Sequence, residues 1–164
     1  TYPLPEAQLD RFMFIINVDY PTLKQEVEIA LTTTSGINSK MDIVLNAEQI
    51  QEFQKLIPSV PVSQHVAEFA VRLVQSSRPN KNGTSLGFIN EWVDWGAGPR
   101  ASQHLLMGAK ACALMDNRVT ATIEDVKRVT RQVLEHRIIL NFKAEAENIT
   151  TTDIIEKILE SVKA

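Results

Sequence analysis

Trp95-Gly96-Ala97-Gly98-Pro99-Arg100-Ala101-Ser102 marks a helix start that carries a cation where helix physics prefers an anion. Gly98 serves as N-cap, and Pro99 suits the first helical position because its missing N–H would have been unpaired there anyway. Arg100 then falls in the first turn, beside free backbone N–H groups and the positive end of the helix dipole. An arginine retained at such a place points to an anionic partner, a phosphate first among them. The competing reading is a surface arginine paired with a nearby carboxylate such as Asp94, and local physics alone favours that simpler pairing.

Outward from this start, Ala101, Leu105, Gly108, Ala109, Cys112 and Met115 form a stripe whose small residues admit a neighbouring helix at close range. Other helices declare themselves by their caps. Thr22 with Gln25 resembles a capping box ahead of Leu23, Val27, Ala30 and Leu31, and Asn46 with Gln49 repeats it ahead of Ile50, Phe53, Leu56 and Ile57. Ser63 caps a helix carrying Val66, Phe69, Ala70, Leu73 and Val74 that ends before Pro79. Thr122 with Asp125 opens one bearing Val126, Val129, Val133 and Leu134, and a last helix over Asp153 to Val162 presents Ile154, Ile155, Ile158, Leu159 and Val162. These stripes read as core.

Two regions depart from the helical pattern. Phe12 to Val18 (FMFIINV) is a short apolar, β-branched run that reads as one buried strand, yet no comparable partner strand follows it. The expectation is a chain that starts near the end of another domain. The stretch from Pro79 to Gly98 is rich in turn formers and holds both tryptophans, Trp92 and Trp95. Ile138 to Phe142 reads as a short extended piece.

A chain of 164 residues with 44% hydrophobic and 23% charged residues fits an ordinary globular domain. Its net charge of −3 argues against a general nucleic-acid binder, while leaving room for one local anion site. Cys112 is the single cysteine, so no intramolecular disulfide or cysteine-based metal cluster is available, and its apolar neighbours mark it as a buried small residue. His65, His104 and His136 lack metal-ligand spacing and read as structural or exposed, so no metal site is expected. His104 shares a helix face with Arg100. His136-Arg137 follows the Thr122 helix and by default caps its last carbonyls or pairs locally. No membrane-length apolar run and no signal-peptide pattern is present, so the chain reads as intracellular. Neither a GxxxxGK[ST] loop nor a GxGxxG fingerprint occurs, and no complete catalytic site is visible.

A second arginine stands out in Leu4-Pro5-Glu6-Ala7-Gln8-Leu9-Asp10-Arg11-Phe12, just before the apolar run. Asp10 beside it offers an ordinary ion pair. Two such arginines together raise the prospect of phosphate sensing without a phosphate loop.

These strings resemble the C-terminal part of a MoxR-type AAA+ ATPase. The Leu4–Phe12 string is similar to that family's segment after the sensor 1 strand, which carries its arginine finger. Gly96-Ala97-Gly98-Pro99-Arg100-Ala101 resembles its sensor 2 motif, usually GASPRA. Similarity continues through Val133-Leu134-Glu135-His136-Arg137-Ile138 and Ala144-Glu145-Ala146-Glu147-Asn148-Ile149-Thr150. Gly98 departs from the usual serine, which keeps much of the capping preference and removes a hydroxyl.

The resemblance implies a mainly α fold: a helical lid over residues 19–164, preceded by residues 1–18 as the end of the α/β ATPase core. It implies Arg11 as an arginine finger acting in trans, and Arg100, with Pro99 and Gly98, as the sensor 2 contact to ATP phosphate. The full-length protein would use ATP and Mg²⁺, assemble as a ring (a hexamer), act as a chaperone-like factor in the cytoplasm, and work with a von Willebrand factor A domain partner. Walker A and Walker B would lie upstream, leaving this part inactive alone. Two alternatives stand beside it. One is a stand-alone helical protein-interaction module with both arginines structural; the other, a helical nucleic-acid binder, is weakened by the acidic balance.

Overall fold

Side-chain caps set most of the helix starts in the computed structural model, which describes residues 2, 4–36, 42–80 and 86–163. A short α1 (Glu6–Leu9) precedes the extended stretch that leads to α2 (Leu23–Thr34), opened by a Thr22/Gln25 capping box. Asn46 and Gln49 form the same box at α3 (Ala47–Leu56), which tightens into a 3-10 turn at Ile57–Ser59. Ser63 accepts from the Val66 N–H at the start of α4 (Gln64–Ser76). Then come α5 (Gly87–Trp92), β1 (Val93–Trp95), and α6 (Pro99–Met115), which begins on Gly98-Pro99 as its sequence requires. After α7 (Ile123–Leu134), β2 (Ile139–Leu140) pairs antiparallel with β1, Val93 opposite Leu140 and Trp95 opposite Ile139. The chain closes with α8 (Phe142–Ala146) and α9 (Thr151–Ser161), the latter opened by a Thr150/Asp153 box.

The core lies where α4, α6, α7 and α9 meet. The α4 stripe is buried in full (Val66, Phe69, Ala70, Leu73, Val74), and so are Val126, Val129, Val133 and Leu134 of α7. On α6, Ala101, Leu105, Gly108, Ala109 and Cys112 are buried while Met115 lies exposed past the covered part of the stripe. A Cβ at Gly108 would stand 3.1 Å from a Val129 methyl and 3.1 Å from the tip of Phe14, so α6 and α7 approach as the small residues imply. Ile154, Ile155 and Ile158 close the core from α9.

Two expectations are corrected. Phe12 to Val18 is neither a strand nor buried: Ile16 is 78% and Val18 88% exposed, and one main-chain bond, Ile15 N–H to Gln132 O at 2.9 Å, ties the run to α7. A strand needs a partner edge, and the two strands among the described residues pair with each other. The α2 and α3 stripes are likewise outside the core. Leu23, Val27, Leu31, Ile50, Phe53 and Leu56 are all exposed, so their periodicity defines faces that nothing among the described residues covers.

The turn between α6 and α7 is fastened by charge. Asn117, with φ 56°, turns the chain out of α6, and Arg118 then grips the buried Asp125 with both guanidinium nitrogens, at 2.7 and 2.5 Å. Asp125 also accepts from the Thr122 N–H at 2.8 Å. Arg118 holds its carboxyl down to about 2, against an ordinary 3.8. A carboxylate with a depressed folded pKa adds stability that is present above the ordinary value and lost as pH falls through about 2. Asp125→Ala is expected to cost about 2–4 kcal/mol in urea unfolding at pH 7, from a lost cap and lost charge-assisted hydrogen bonds. A cost under about 0.5 kcal/mol would contradict this.

Candidate functional site

Arg100 sits in the first turn of α6, its side chain 45% exposed, and its Nη1 donates to Asp10 Oδ2 at 2.5 Å. Its carboxylate partner is therefore Asp10, 90 residues away, and not its neighbour Asp94. Asp10 ends α1, where its N–H bonds to Glu6 O at 2.9 Å, and it immediately precedes Arg11. Arg11 is exposed, and its side chain has no hydrogen bond or ion pair among the described residues. The two arginines singled out in the sequence are thus drawn into one neighbourhood by the residue beside one of them.

A third arginine completes the arrangement. Arg137, its side chain 1% exposed, follows α7 and donates to Asp10 Oδ1 at 3.1 Å, Asp10 O at 2.9 Å, Phe12 O at 2.5 Å and Met13 O at 3.4 Å. It also caps α7 through Val133 O and reaches His104 Nδ1 at 2.8 Å. The capping was expected from sequence; the grip on residues 10–13 was not. Burial of a guanidinium is costly unless every N–H is used, and here five donors meet six acceptors.

His104 and His136 line this cluster from α6 and from the residue before Arg137. His136 Nε2 faces Phe12 O at 3.2 Å, while its Nδ1 is buried without a partner. Burial, then the charge of Arg137, lowers both imidazoles below their ordinary 6.5. They are neutral at pH 7, and His104 Nδ1 is free to accept from Arg137 only in that state. Arg137 and Arg100 oppose protonation of His104, and Asp10 favours it. Below 6.5 the unfolded chain takes up protons that the folded one resists, so stability falls as pH drops. Urea unfolding at about pH 7.5 and about pH 5.5 is expected to show that loss, and a His104→Gln/His136→Gln double variant to flatten it. Equal slopes in both proteins would refute the assignment.

The loop ahead of α6 is clamped from α4. Ser77 Oγ accepts from the Ala97 N–H at 3.0 Å and donates to Val74 O at 2.7 Å, while Arg78 Nε donates to Ala97 O at 2.8 Å. Gly96 passes so close that a Cβ there would overlap the Ser77 carbonyl and the Arg78 Cα; Gly98 has open space. A cleft of about 340 Å³ opens beside this loop, lined by Glu6, Asp10, Trp95, Gly96, His136 and Arg137 among others. A second of about 620 Å³ shares Trp95, Gly96 and Gly98 with it. Trp95 is exposed at this rim, whereas Trp92 packs inward, its Nε1 donating to Glu147 at 2.8 Å under the Lys157 ammonium. Among the described residues no His, Cys, Asp or Glu cluster is shaped to hold a metal ion. No described helix is long and apolar enough to cross a membrane.

Known proteins resemble this chain over most of its length. The AAA lid domain family matches residues 89–158, from α5 into α9. The chain is 34% identical over 163 residues to the chaperone MoxR1 of Mycobacterium tuberculosis, covering 98% of this chain and 42% of that one. It is 30% identical to the uncharacterized protein YeaC of Bacillus subtilis (99% and 48%) and 28% identical to protein MoxR of Paracoccus denitrificans (86% and 44%). A crystal structure provisionally described as an ATPase, from Cytophaga hutchinsonii, superimposes with a TM-score of 0.86 at 36% identity, covering 99% of this chain and 49% of that one. The chain therefore spans less than half the length of each of these proteins. Lid-domain match, MoxR-named relatives and superposition agree: the chain belongs to the MoxR family of AAA+ ATPases, as its lid region.

Proposed function

We propose that this chain is the phosphate-sensing part of an ATP-hydrolysing ring. Arg11 is the arginine finger that reaches a neighbouring subunit's ATP, and Arg100, presented by Gly98 and Pro99, is the sensor 2 contact to phosphate. The observation that carries this reading is the Asp10 carboxylate, which pairs with Arg100 while adjoining Arg11. Asp10 supplies the negative charge that Arg100 would otherwise take from a nucleotide, so binding exchanges one anion for another at the start of α6. The full-length protein would bind ATP with Mg²⁺, form a hexameric ring, and act as a chaperone-like remodelling factor in the cytoplasm with a von Willebrand factor A domain partner. Residues 1–18 would belong to its α/β core, which would cover the exposed apolar side chains of Phe12, Ile16 and Val18.

That same exposure disfavours the alternative of a stand-alone interaction module, which would bury or pair such a run within its own fold. The test is ATP turnover. The full-length protein is expected to hydrolyse ATP with Mg²⁺, and the purified 164-residue chain to show no turnover. Arg11→Ala and Arg100→Ala are each expected to keep the fold and lower activity in the full-length protein. Turnover by the isolated chain, or unchanged kinetics for both variants, would overturn the reading.

A further inference from the structure

The end of α7 holds the finger segment at more points than packing requires. Ile15 N–H bonds to Gln132 O at 2.9 Å, Asn17 Nδ2 donates to Glu135 Oε1 at 3.0 Å, and His136 faces Phe12 O at 3.2 Å. Arg137 is the centre of this grip. Its guanidinium takes the carbonyls of Asp10 and Phe12, the residues on either side of Arg11, and that of Met13 beyond them. Pinning the carbonyls before and after a residue fixes the direction in which its Cα–Cβ bond leaves the chain, and here that residue is an exposed arginine whose side chain has no partner among the described residues. An apolar side chain would fill the same volume without the desolvation cost of a buried guanidinium, so packing alone does not account for Arg137.

We propose that Arg137, reaching across from the lid, is the positioning residue for Arg11, fixing the angle at which the finger leaves the 10–13 segment. This rests on the reading of Arg11 as the finger. Asp10 extends the device: one half-buried carboxylate is shared between Arg137 and Arg100, so the sensor arginine and the finger segment are anchored on the same group.

The test is a kinetic double-mutant cycle in the full-length protein, with Arg11→Ala, Arg137→Gln and both together, measuring kcat, KM for ATP and ring size. Arg137→Gln is expected to lower kcat by about 10- to 100-fold, the scale of an ångström-size misplacement, with KM within about twofold. In the Arg11→Ala background it is expected to do nothing further, because it acts through Arg11. Arg137→Lys, which keeps the charge but spans fewer carbonyls, is the second variant should Arg137→Gln fail to assemble. It is expected to lower kcat and to speed amide exchange at Phe12 to Ile15 while the α4 amides stay protected. Independent, multiplicative losses from Arg11→Ala and Arg137→Gln, or unchanged kcat and exchange in Arg137→Lys, would overturn the positioning role and leave the finger reading standing. Wild-type kcat in Arg11→Ala would overturn the finger reading itself, and this inference with it.

Discussion

Gly96→Ala is expected to destabilise the chain by about 3 kcal/mol, lowering the thermal midpoint by roughly 6–12 °C. The cause is space, not backbone freedom, since Gly96 has no positive φ. The added methyl would overlap the Ser77 carbonyl oxygen and the Arg78 Cα, and neither is the free end of a side chain that could swing away. Relief requires the 95–98 loop to lift off α4, which breaks the Ala97 bonds to Ser77 and Arg78 together. Both are part-buried or buried, so their loss carries the cost of unmet polar groups. Lifting that loop also shifts Pro99 and Arg100, so ATP turnover of the full-length protein should fall with stability. Gly98→Ser is the matched control. Nothing lies within 4 Å of its Cβ position, and serine is an equal or better N-cap, so a change of a few tenths of a kcal/mol in either direction is expected. Thermal unfolding of the two variants side by side decides it; a Gly96→Ala cost below about 1 kcal/mol would show that the clamp is loose.

The contrast between these glycines shows where sequence reading stops. Both lie in one motif, and the cap role of Gly98 follows from local rules alone. The demand on Gly96 comes from Ser77 and Arg78 at the end of α4, and no local rule contains it. The same division runs through the fold. Helices opened by Thr22, Asn46, Ser63 and Thr122 were legible because a cap is a short-range device. The four-residue α1 and the six-residue α5 carry no side-chain cap bond and gave no such signal. Ile139–Leu140 was anticipated as an extended piece, but its partner Val93–Trp95 was not, because a pairing so distant along the chain leaves no periodic trace. Phe12 to Val18 was misread for a related reason: an apolar, β-branched run states what a segment would do beside a sheet, not whether one is there.

The candidate site divides likewise. Arg100 and Arg11 were visible as charges in unusual places. Asp10 was assigned to Arg11 because it adjoins it in sequence, yet it pairs with Arg100 and Arg137. Arg137 was the residue missed, and the reason is general. A buried arginine looks like any other until the surrounding carbonyls are counted, and those come from a segment more than 120 residues away. The one available hint was its position directly after a capped helix, which foretold the contact to Val133 O and nothing more.

Mixing Arg11→Ala subunits with Arg100→Ala subunits of the full-length protein is expected to give rings no more active than either variant alone. Removing a finger costs about 10³–10⁵ in kcat in the best-studied phosphoryl-transfer systems, so the Arg11→Ala ring should be nearly silent, and restoration is read as activity above that of both parent rings. The outcome depends on which ATP each arginine serves. If Arg100 served its own subunit's ATP while Arg11 served the neighbour's, the two would work at opposite faces of a subunit. An Arg100→Ala subunit beside an Arg11→Ala subunit would then form an intact site on one side, and random assortment at equal ratio would restore about one site in four. The geometry argues the other way. Asp10, the residue next to Arg11, touches Arg100 at 2.5 Å, so the proposed finger and sensor arginines stem from one neighbourhood of the subunit, where a single nucleotide would meet both. Both would then be missing or present according to a single neighbour, and no mixed pair could regain an intact site. Activity near a quarter of wild type in the mixed ring would place Arg100 on its own subunit's ATP and would mean that the Asp10 bridge opens before the ring becomes active.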